Sequence, residues 1–485
     1  MALMDRFPGQ IFSTRGWGLL GAGAVSLLAA QVMGRGDLLA LAILLLVLPL
    51  LSLAGTRVLK PRFRVYREFT PSTVETSART TVRLAVARTG AGSGQAVMEE
   101  QLPARFGEAP VFRFPARSAV GGTSRYEYHL RSGTRGQFLI GPVTAEVSDP
   151  FGLSRYRHAI DDGDILTVTP AAVELPGTGL AGARGHDGVT AARIRANPSD
   201  DDVMTREYRH GDPMRRVHWP ATARHGALMV RQEESVTTPE ATIILDHRLA
   251  AFPDSSLPLA AFPHGSGFGR AMDRDGQELL SCGAFEWAVT AAISISTHLS
   301  ERNYALRFLD AAGRPAFLRS PSAPDPEAEE YSGASGLQSV AESLAAIALS
   351  GPPHSARRDP SGASRRGAPA AVDAGPQPFD DRLMDKLSAH RLRGPILALL
   401  GNLSLAEAKA LSPAAGFGAN AFALLVTEKA QDSGAVLEVL RRGGWRAAAV
   451  SAATALPAAW AAFDDGEEGL LSAVAGVHSG EGGRR

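Results

Sequence analysis

The chain has 485 residues, 50 Lys plus Arg against 50 Asp plus Glu, and a single cysteine, Cys282. That length accommodates two or three domains with separate cores, and the balanced charge excludes a long-range field for collecting nucleic acid. One thiol excludes an internal disulfide, no Cys/His cluster has zinc spacing, and the pattern suits a reducing compartment.

Two apolar runs come first. Gly16–Gly34 and Leu38–Ala54 carry no charge, and at about 1.5 Å per residue each reaches across a thin hydrocarbon core. Arg35-Gly36-Asp37 between them reads as a hairpin turn. Arg57, Lys60, Arg62, Arg64 and Arg67 follow the second run, whereas the turn carries one arginine. The positive-inside rule therefore predicts a two-pass cell-membrane hairpin, residues 1–56, with both ends and the bulk of the chain cytoplasmic. If the first run were a cleaved signal peptide, the second would stop transfer and leave the rest on the same side.

From 57 to 176 the rhythm becomes period two. Thr80–Arg88, Ser124–Arg131, Gln137–Val147 and Asp164–Pro170 alternate and break at Gly, Pro and Asp, which predicts antiparallel strands in a small all-β sandwich. "RGQFLIGP" and "DPFGL" (Asp149–Leu153) read as its turns. Residues 177–239 form a linker that contains "REYRHGDPMRRVHWPATAR", Arg206 to Arg224.

From 240 to 470 strand and helix patterns alternate. Ala241–His247, Tyr304–Asp310, Pro395–Gly401, Ala421–Thr427 and Trp445–Ser451 are strand candidates. Helical stretches fall at Phe285–Arg302, Leu405–Leu411, Ala435–Arg442 and Ala455–Phe463, with Val289, Ala292, Ile293, Ile295 and Leu299 along one face of the first. This predicts a parallel sheet covered by helices on both sides. Residues 252–276 and 350–377 read as flexible insertions, and 471–485 as a flexible tail.

Little of the chain looks catalytic. No Gly-rich loop leads into Gly-Lys-Ser/Thr, and there is no Gly-x-Ser-x-Gly elbow or His-Glu-x-x-His pair. Asp246, at the carboxyl end of the first parallel strand, stands where α/β proteins gather ligands. In von Willebrand factor A-like domains, which this pattern resembles, an Asp-x-Ser-x-Ser loop at that position holds Mg2+ through its oxygens, but this chain has Asp246, His247, Arg248, Leu249 and Ala250. Asp246 is thus a weak metal candidate and is expected to pair with Arg248 or an arginine of the 206–224 segment.

That segment has three readings. Arg206, Arg209, Arg215, Arg216 and Arg224 with Tyr208 and Trp219 would suit a nucleic-acid grip, but Glu207, Asp212, Glu233 and Glu234 would repel phosphate. Asp212 with His218 could form an acid/base pair, but no nucleophile or metal cage accompanies it. As a structural and recognition element, Gly211 and Asp212-Pro213 make a turn, and a short helix follows that Pro220 breaks or restarts. One of Arg215 and Arg216 would clamp Glu207 or Asp212 while the other, with Trp219, faces a partner.

These residues resemble the signature of the bacterial "domain of unknown function 58" family, approximately Arg-x-Tyr-x-x-Gly-Asp-x-x-Arg-x-Ile-x-Trp-Lys-x-x-Ala-Arg. It falls here on Arg206, Tyr208, Gly211, Asp212, Arg215, Trp219, Ala223 and Arg224. Val217 replaces the isoleucine, and Pro220 stands where lysine is common, which leaves that lysine's role without a carrier. The paired apolar runs, the "RGQFLIGP…DPFGL" order and the "ILD" strand are also similar to the family layout. The resemblance implies a von Willebrand factor A-like, Rossmann-like C-terminal domain, often with a degenerate Mg2+ site. It also implies association with a MoxR-type AAA+ ATPase.

The expectation is a membrane-anchored cytoplasmic adaptor, acting with such an ATPase in envelope or protein-complex maturation. It would not itself be catalytic, and it would need no cofactor and no nucleic acid. Its interaction residues would be Arg206, Glu207, Tyr208, Gly211, Asp212, Arg215, Arg216, His218, Trp219 and Arg224. The alternatives are a metal-dependent ligand-binding or hydrolytic protein using the Asp246 strand end, and a purely structural membrane scaffold.

Overall fold

The computed structural model describes residues 12–58, 62–89, 96–115, 123–149, 151–177, 205–209, 214, 217–231, 239–253, 279–351, 377–389, 394–428 and 430–463. Nearly all of the expected insertions, the tail and much of the 177–239 linker lie outside the described residues.

The apolar runs are two helices, α1 (Thr14–Met33) and α2 (Gly36–Val58), joined at Gly34. Both are long and apolar enough to cross a membrane. They meet through small side chains, with Ala30 and Ala42 buried between them.

The β region comprises β1 (Phe63–Thr70), β2 (Thr73–Glu75), β3 (Arg79–Arg88), β4 (Ala96–Glu100), β5 (Val111–Phe114), β6 (Thr123–Arg131), β7 (Gly136–Ile140), β8 (Val143–Ser148), β9 (Arg155–Ala159) and β10 (Asp164–Thr169). One face is the sheet β1-β3-β6. The other is split into β2-β10-β7 and β5-β4-β8-β9. Alternation along β3 sends Leu84 and Val86 into one core with Met98 and Val147, and Val82 into a second with Phe138 and Val168. The expected strand Gln137–Val147 is in fact two strands in different sheets. The break is at Gly141, whose φ of 99° favours glycine and where a Cβ would sit 2.8 Å from Arg67 Nη2.

Arg67 lies inside this region rather than at the membrane edge. Its Nε donates to Glu100 Oε1 at 2.5 Å, Nη1 to Asp164 at 2.6 Å and Nη2 to Asp161 at 2.9 Å. It is therefore withdrawn from the basic residues counted after the second helix.

The α/β region holds β13 (Glu240–Leu245), β14 (Ala305–Leu309), β15 (Glu330–Tyr331), β16 (Ile396–Leu400), β17 (Ala421–Val426) and β18 (Arg446–Val450). The sheet runs β15-β14-β13-β16-β17-β18, parallel except for β15. Numbered within the region, that order is 3-2-1-4-5-6. One hydrophobic core lies on each face. The helices Gly283–Ser300, Gly333–Ala345 and Leu456–Ala461 cover one face, and Asp381–Ser388, Leu405–Leu411 and Gly434–Arg442 cover the other.

The Gly283–Ser300 helix is buried nearly all round, not along one stripe as expected, because the Gly333–Ala345 helix, Trp460 and the Arg135 and Val173 segments of the β region cover the sides turned away from the sheet. Arg135, after β6, forks onto Glu286 with two bonds of 2.8 Å. It also donates to the carbonyls of Leu344, Ala345 and Ile347 at 2.7–3.1 Å. The segment following β10 lies on the same helix, with Val173 N donating to Ser294 Oγ at 2.9 Å. β1 starts at Phe63 near the end of α2, whereas Arg79 and Arg131, paired at the opposite end of that sheet, precede the Arg135 junction. The β region thus spaces the α/β region from the helix pair by about one strand length, roughly 26 Å for eight residues.

Candidate functional site

The 206–224 segment is part of a small unit of its own. Strand β11 (Thr205–Glu207) pairs antiparallel with β12 (Met229–Arg231), so that Arg206 faces Val230 and Glu207 faces Met229. Between them stands a short helix, Trp219–His225. Val217, Met229 and Val230 are buried, yet none belongs to any of the four hydrophobic cores of the β and α/β regions.

Local chemistry explains the helix. His218 is its N-cap, and Nδ1 accepts from Ala221 N at 3.2 Å, which requires the tautomer with the proton on Nε2. Pro220 lies in the first turn, where a missing N–H costs no hydrogen bond. The proline therefore starts the helix rather than breaking it. Gly226 ends it at φ 72°, with Arg224 and His225 in the last turn to complement the dipole. Thr222 Oγ1 accepts from Met229 N at 3.0 Å, His218 N donates to Met229 O at 2.8 Å, and Tyr208 N to Leu228 O at 2.8 Å.

The expected site residues therefore separate. Trp219 is 62% exposed on the helix, Arg224 and Glu207 are exposed, and Tyr208 and His218 are half-buried. Arg206 is placed by its strand register. Gly211, Asp212, Arg215 and Arg216 lie outside the described residues, and with them the expected arginine–carboxylate clamp.

The second candidate is the carboxyl edge of the sheet. The strand order reverses between the parallel neighbours β13 and β16, which creates the crevice where open α/β sheets bind ligands. Asp246 is fully buried there. Of its two expected partners, Arg248 takes it: Nε donates to Oδ1 at 2.9 Å, Nη2 to Oδ2 at 2.8 Å, and the Arg248 N–H to Oδ1 at 3.0 Å. Nη1 continues to Glu407 Oε1, and the guanidinium lies 5.1 Å over the Phe379 ring. Burial raises the Glu407 carboxyl, but the hydrogen bonds from Arg248 and from the Ser404 N–H and hydroxyl outweigh it, leaving the group below its ordinary value.

Asp310, at the end of β14, is closed in the same way. It accepts from Ala312 N and Arg314 N at 2.8 Å, and from the Arg314 side chain at 2.8 and 3.0 Å. His247, beside them, shares a 2.9 Å bond between Nδ1 and Ser350 Oγ, and burial pushes its imidazole down, against the pull of Asp310 and Asp246.

These residues do not fit a divalent cation. Mg2+ wants near-octahedral oxygen, whereas both oxygens of Asp246 already hold a guanidinium and the two serine positions are Arg248 and Ala250. Among the described residues no group of three or more His, Cys, Asp or Glu is placed to hold a metal.

Glu407, Phe379 and the Asp310–Arg314 pair were not singled out from the sequence. Ser404-x-x-Glu407 is a readable capping box that would have announced Glu407 as a helix-start carboxylate. Phe379, held at φ 61°, has no such signal.

Residues 204–250 match the model of the family described as "Protein of unknown function DUF58". No curated protein matches the chain. Matching solved structures include a β-glucosidase from Erythrobacter marinus (14% identity, 20% of this chain, 15% of that one, TM-score 0.12). A β-glucosidase from Listeria innocua matches at 8% identity over 21% of this chain and 16% of that one, with a TM-score of 0.13. The Pseudomonas fluorescens alkylpurine DNA glycosylase AlkC matches at 15% identity over 30% and 43%, also at 0.13. The chain spans less than half of each of these three, and at such TM-scores the likenesses carry no argument about fold, sugar or DNA.

Proposed function

We propose that this protein is a membrane-anchored adaptor whose β and α/β regions lie in the cytoplasm and which works with a MoxR-type AAA+ ATPase in envelope or protein-complex maturation. The observation that carries the reading is the exposed Trp219–Arg224 edge on a unit closed by its own hydrogen bonds. Those side chains are not spent on either large core, and Trp and Arg are the types that anchor interfaces. The 3-2-1-4-5-6 sheet with an antiparallel third strand supports a von Willebrand factor A-like domain. In it Arg248 acts as the resident cation of Asp246, so partner binding there needs no metal. The chain has no P-loop, which makes an ATPase partner the source of any work done.

Affinity capture from detergent extracts, with ATP and cross-linker, is expected to recover such an ATPase. Trp219→Ala should lower recovery at least tenfold while moving the unfolding free energy by less than about 0.5 kcal/mol, as for an exposed substitution. Repeated capture without an ATPase, or full capture by Trp219→Ala and Arg224→Ala, would overturn the proposal.

A further inference from the structure

The turn Asp149–Ser154 is bolted to the helix pair, and the positions of the bolts along the helices decide where its tip lies. On α1, Ser13 N donates to Leu153 O at 2.9 Å and Ser13 Oγ to Gly152 O at 2.7 Å. Gly16 comes so close that a Cβ there would stand 2.3 Å from Leu153 O. On α2, Ser52 Oγ shares a 3.0 Å bond with Ser154 Oγ. Gly16 is the first residue of one charge-free run, and Ser52 lies two residues before the end of the other. From Gly16 to Gly34 the helix rises about 27 Å, close to the thickness of a hydrocarbon core. The bolts therefore sit at the boundary between acyl chains and headgroups, on the side of the β region.

Phe151 is the tip of this turn and is 64% exposed. Asp149 shapes it from within: Oδ2 accepts from Phe151 N at 3.0 Å, and Oδ1 from Leu153 N and Ser154 N at 2.7 Å each. The carboxylate is thus turned inward and buried, where it does not repel lipid phosphate. Phe12 bridges to Ser154 and packs edge-on against Trp17 at 5.7 Å, and Trp17 is itself 61% exposed in the first turn of α1. Arg15 and Arg155 are exposed at the same junction. Aromatic tips with arginines at this depth are the residue types that settle into the interfacial layer of a bilayer.

We propose that Phe151 inserts into the interfacial layer of the membrane, making the Asp149–Ser154 turn a second contact that holds the β region in one orientation on the bilayer. The occupant is lipid because the turn is continuous with the apolar helix surface. The inference rests on α1 and α2 spanning the membrane, and its test separates the two ideas.

The full chain carrying Cys282→Ser, so that one introduced cysteine takes the label, is reconstituted into phosphatidylcholine–phosphatidylglycerol vesicles. A nitrobenzoxadiazole probe is attached in turn through Phe151→Cys, Leu44→Cys and Leu405→Cys. Quenching is read with nitroxides at the headgroup, near the top of the acyl chain and near its end. Position 151 should be quenched at least twofold more by the shallow nitroxides than by the deep one. Position 44, exposed mid-helix, should show the reverse, and position 405, exposed on the distant α/β region, should respond to none. In the Gly16→Leu background, which pushes the turn off the helix, quenching at 151 should fall while that at 44 stays. Deep quenching at 44 with none at 151 overturns this inference and leaves the membrane hairpin intact. Absence of quenching at 44 overturns both.

Discussion

Arg67 and Arg248 do the same chemistry in two places, each forking a guanidinium onto carboxylates. Arg67 has no exposed side-chain surface, and Glu100 beneath it has none either. Arg248 is 23% exposed and bridges a buried Asp246 to a Glu407 that is 25% exposed. The first stands between sheets, on a strand whose register admits no other position. The second stands in the mouth of the crevice where the strand order reverses. The difference separates an ion that fills a core from one that forms part of a surface, although both read from sequence as an arginine among acids.

The largest expected effect lies at Arg67. Burial alone would lower its basicity, but Glu100 and Asp161 outweigh it and hold the guanidinium charged. For Glu100 burial wins, raising the carboxyl above its ordinary value despite Arg67 and the Tyr128 hydroxyl. Arg67→Ala leaves that carboxyl unpaired in a closed core and is expected to cost about 3–5 kcal/mol, read as a lowered midpoint in chemical denaturation of the β region. The double variant Arg67→Met, Glu100→Met should recover much of the loss. A cost below about 1 kcal/mol would show the cluster to be solvated.

A buried base without a carboxylate sharpens the same contrast. His298 packs 5.4 Å from the Trp460 ring, and its Nε2 has no hydrogen-bond partner. Burial, reinforced by Arg302, pushes its pKa from 6.5 down to about 4. The unfolded chain therefore takes up a proton that the folded one refuses. Stability is complete above pH 6.5, falls as pH drops toward 4 and levels off below it. The loss across that window is on the order of 3 kcal/mol. His298→Phe should flatten that part of the stability–pH curve. An unchanged slope would assign it to other groups.

Legibility followed the same physics. Period two and period 3.6 are local, so the two apolar helices, strands such as β3, β6 and β10, and the five parallel strands of the α/β region are legible in the sequence, whereas the short strands β2, β5 and β15 and the helices Gly333–Ala345 and Asp381–Ser388 are not. The buried side of Gly283–Ser300 facing the β region could not, because Arg135, Val173 and Glu286 meet only after folding. From sequence Arg67 reads with the membrane-flanking basic residues, because a core position for an arginine depends on three acids 33 to 97 residues away. Asp246 with Arg248 was readable, being two residues apart, whereas Glu407, 159 residues on, was not. In the 206–224 segment, residue types carry the resemblance to the family whose model matches there. Whether Pro220 started or broke the helix depended on where His218 placed the cap.

The smallest expected effect falls on Arg248. Water can replace its guanidinium at the open strand end, so Arg248→Ala should cost roughly 1–2 kcal/mol, near the lower end for hydrogen bonds to charged groups. Its acid signature is more specific. Glu407 lies below its ordinary 4.5 in the folded chain because the bonds from Arg248 and Ser404 outweigh burial. The stabilisation this gives is present above the unfolded value and disappears as pH falls through the folded one. In Arg248→Ala the Glu407 carboxyl should titrate closer to its ordinary value, as followed by carboxyl-carbon NMR, with Ser404 still holding part of the depression. Calorimetry with Mg2+ and Mn2+ on the same pair of proteins decides what the guanidinium replaces. The parent chain should show no binding, because a metal must first displace the guanidinium's two hydrogen bonds to Asp246. Micromolar binding by the parent, abolished by Asp246→Ala, would make the strand end a metal site and return the chain to the class of metal-dependent ligand binders.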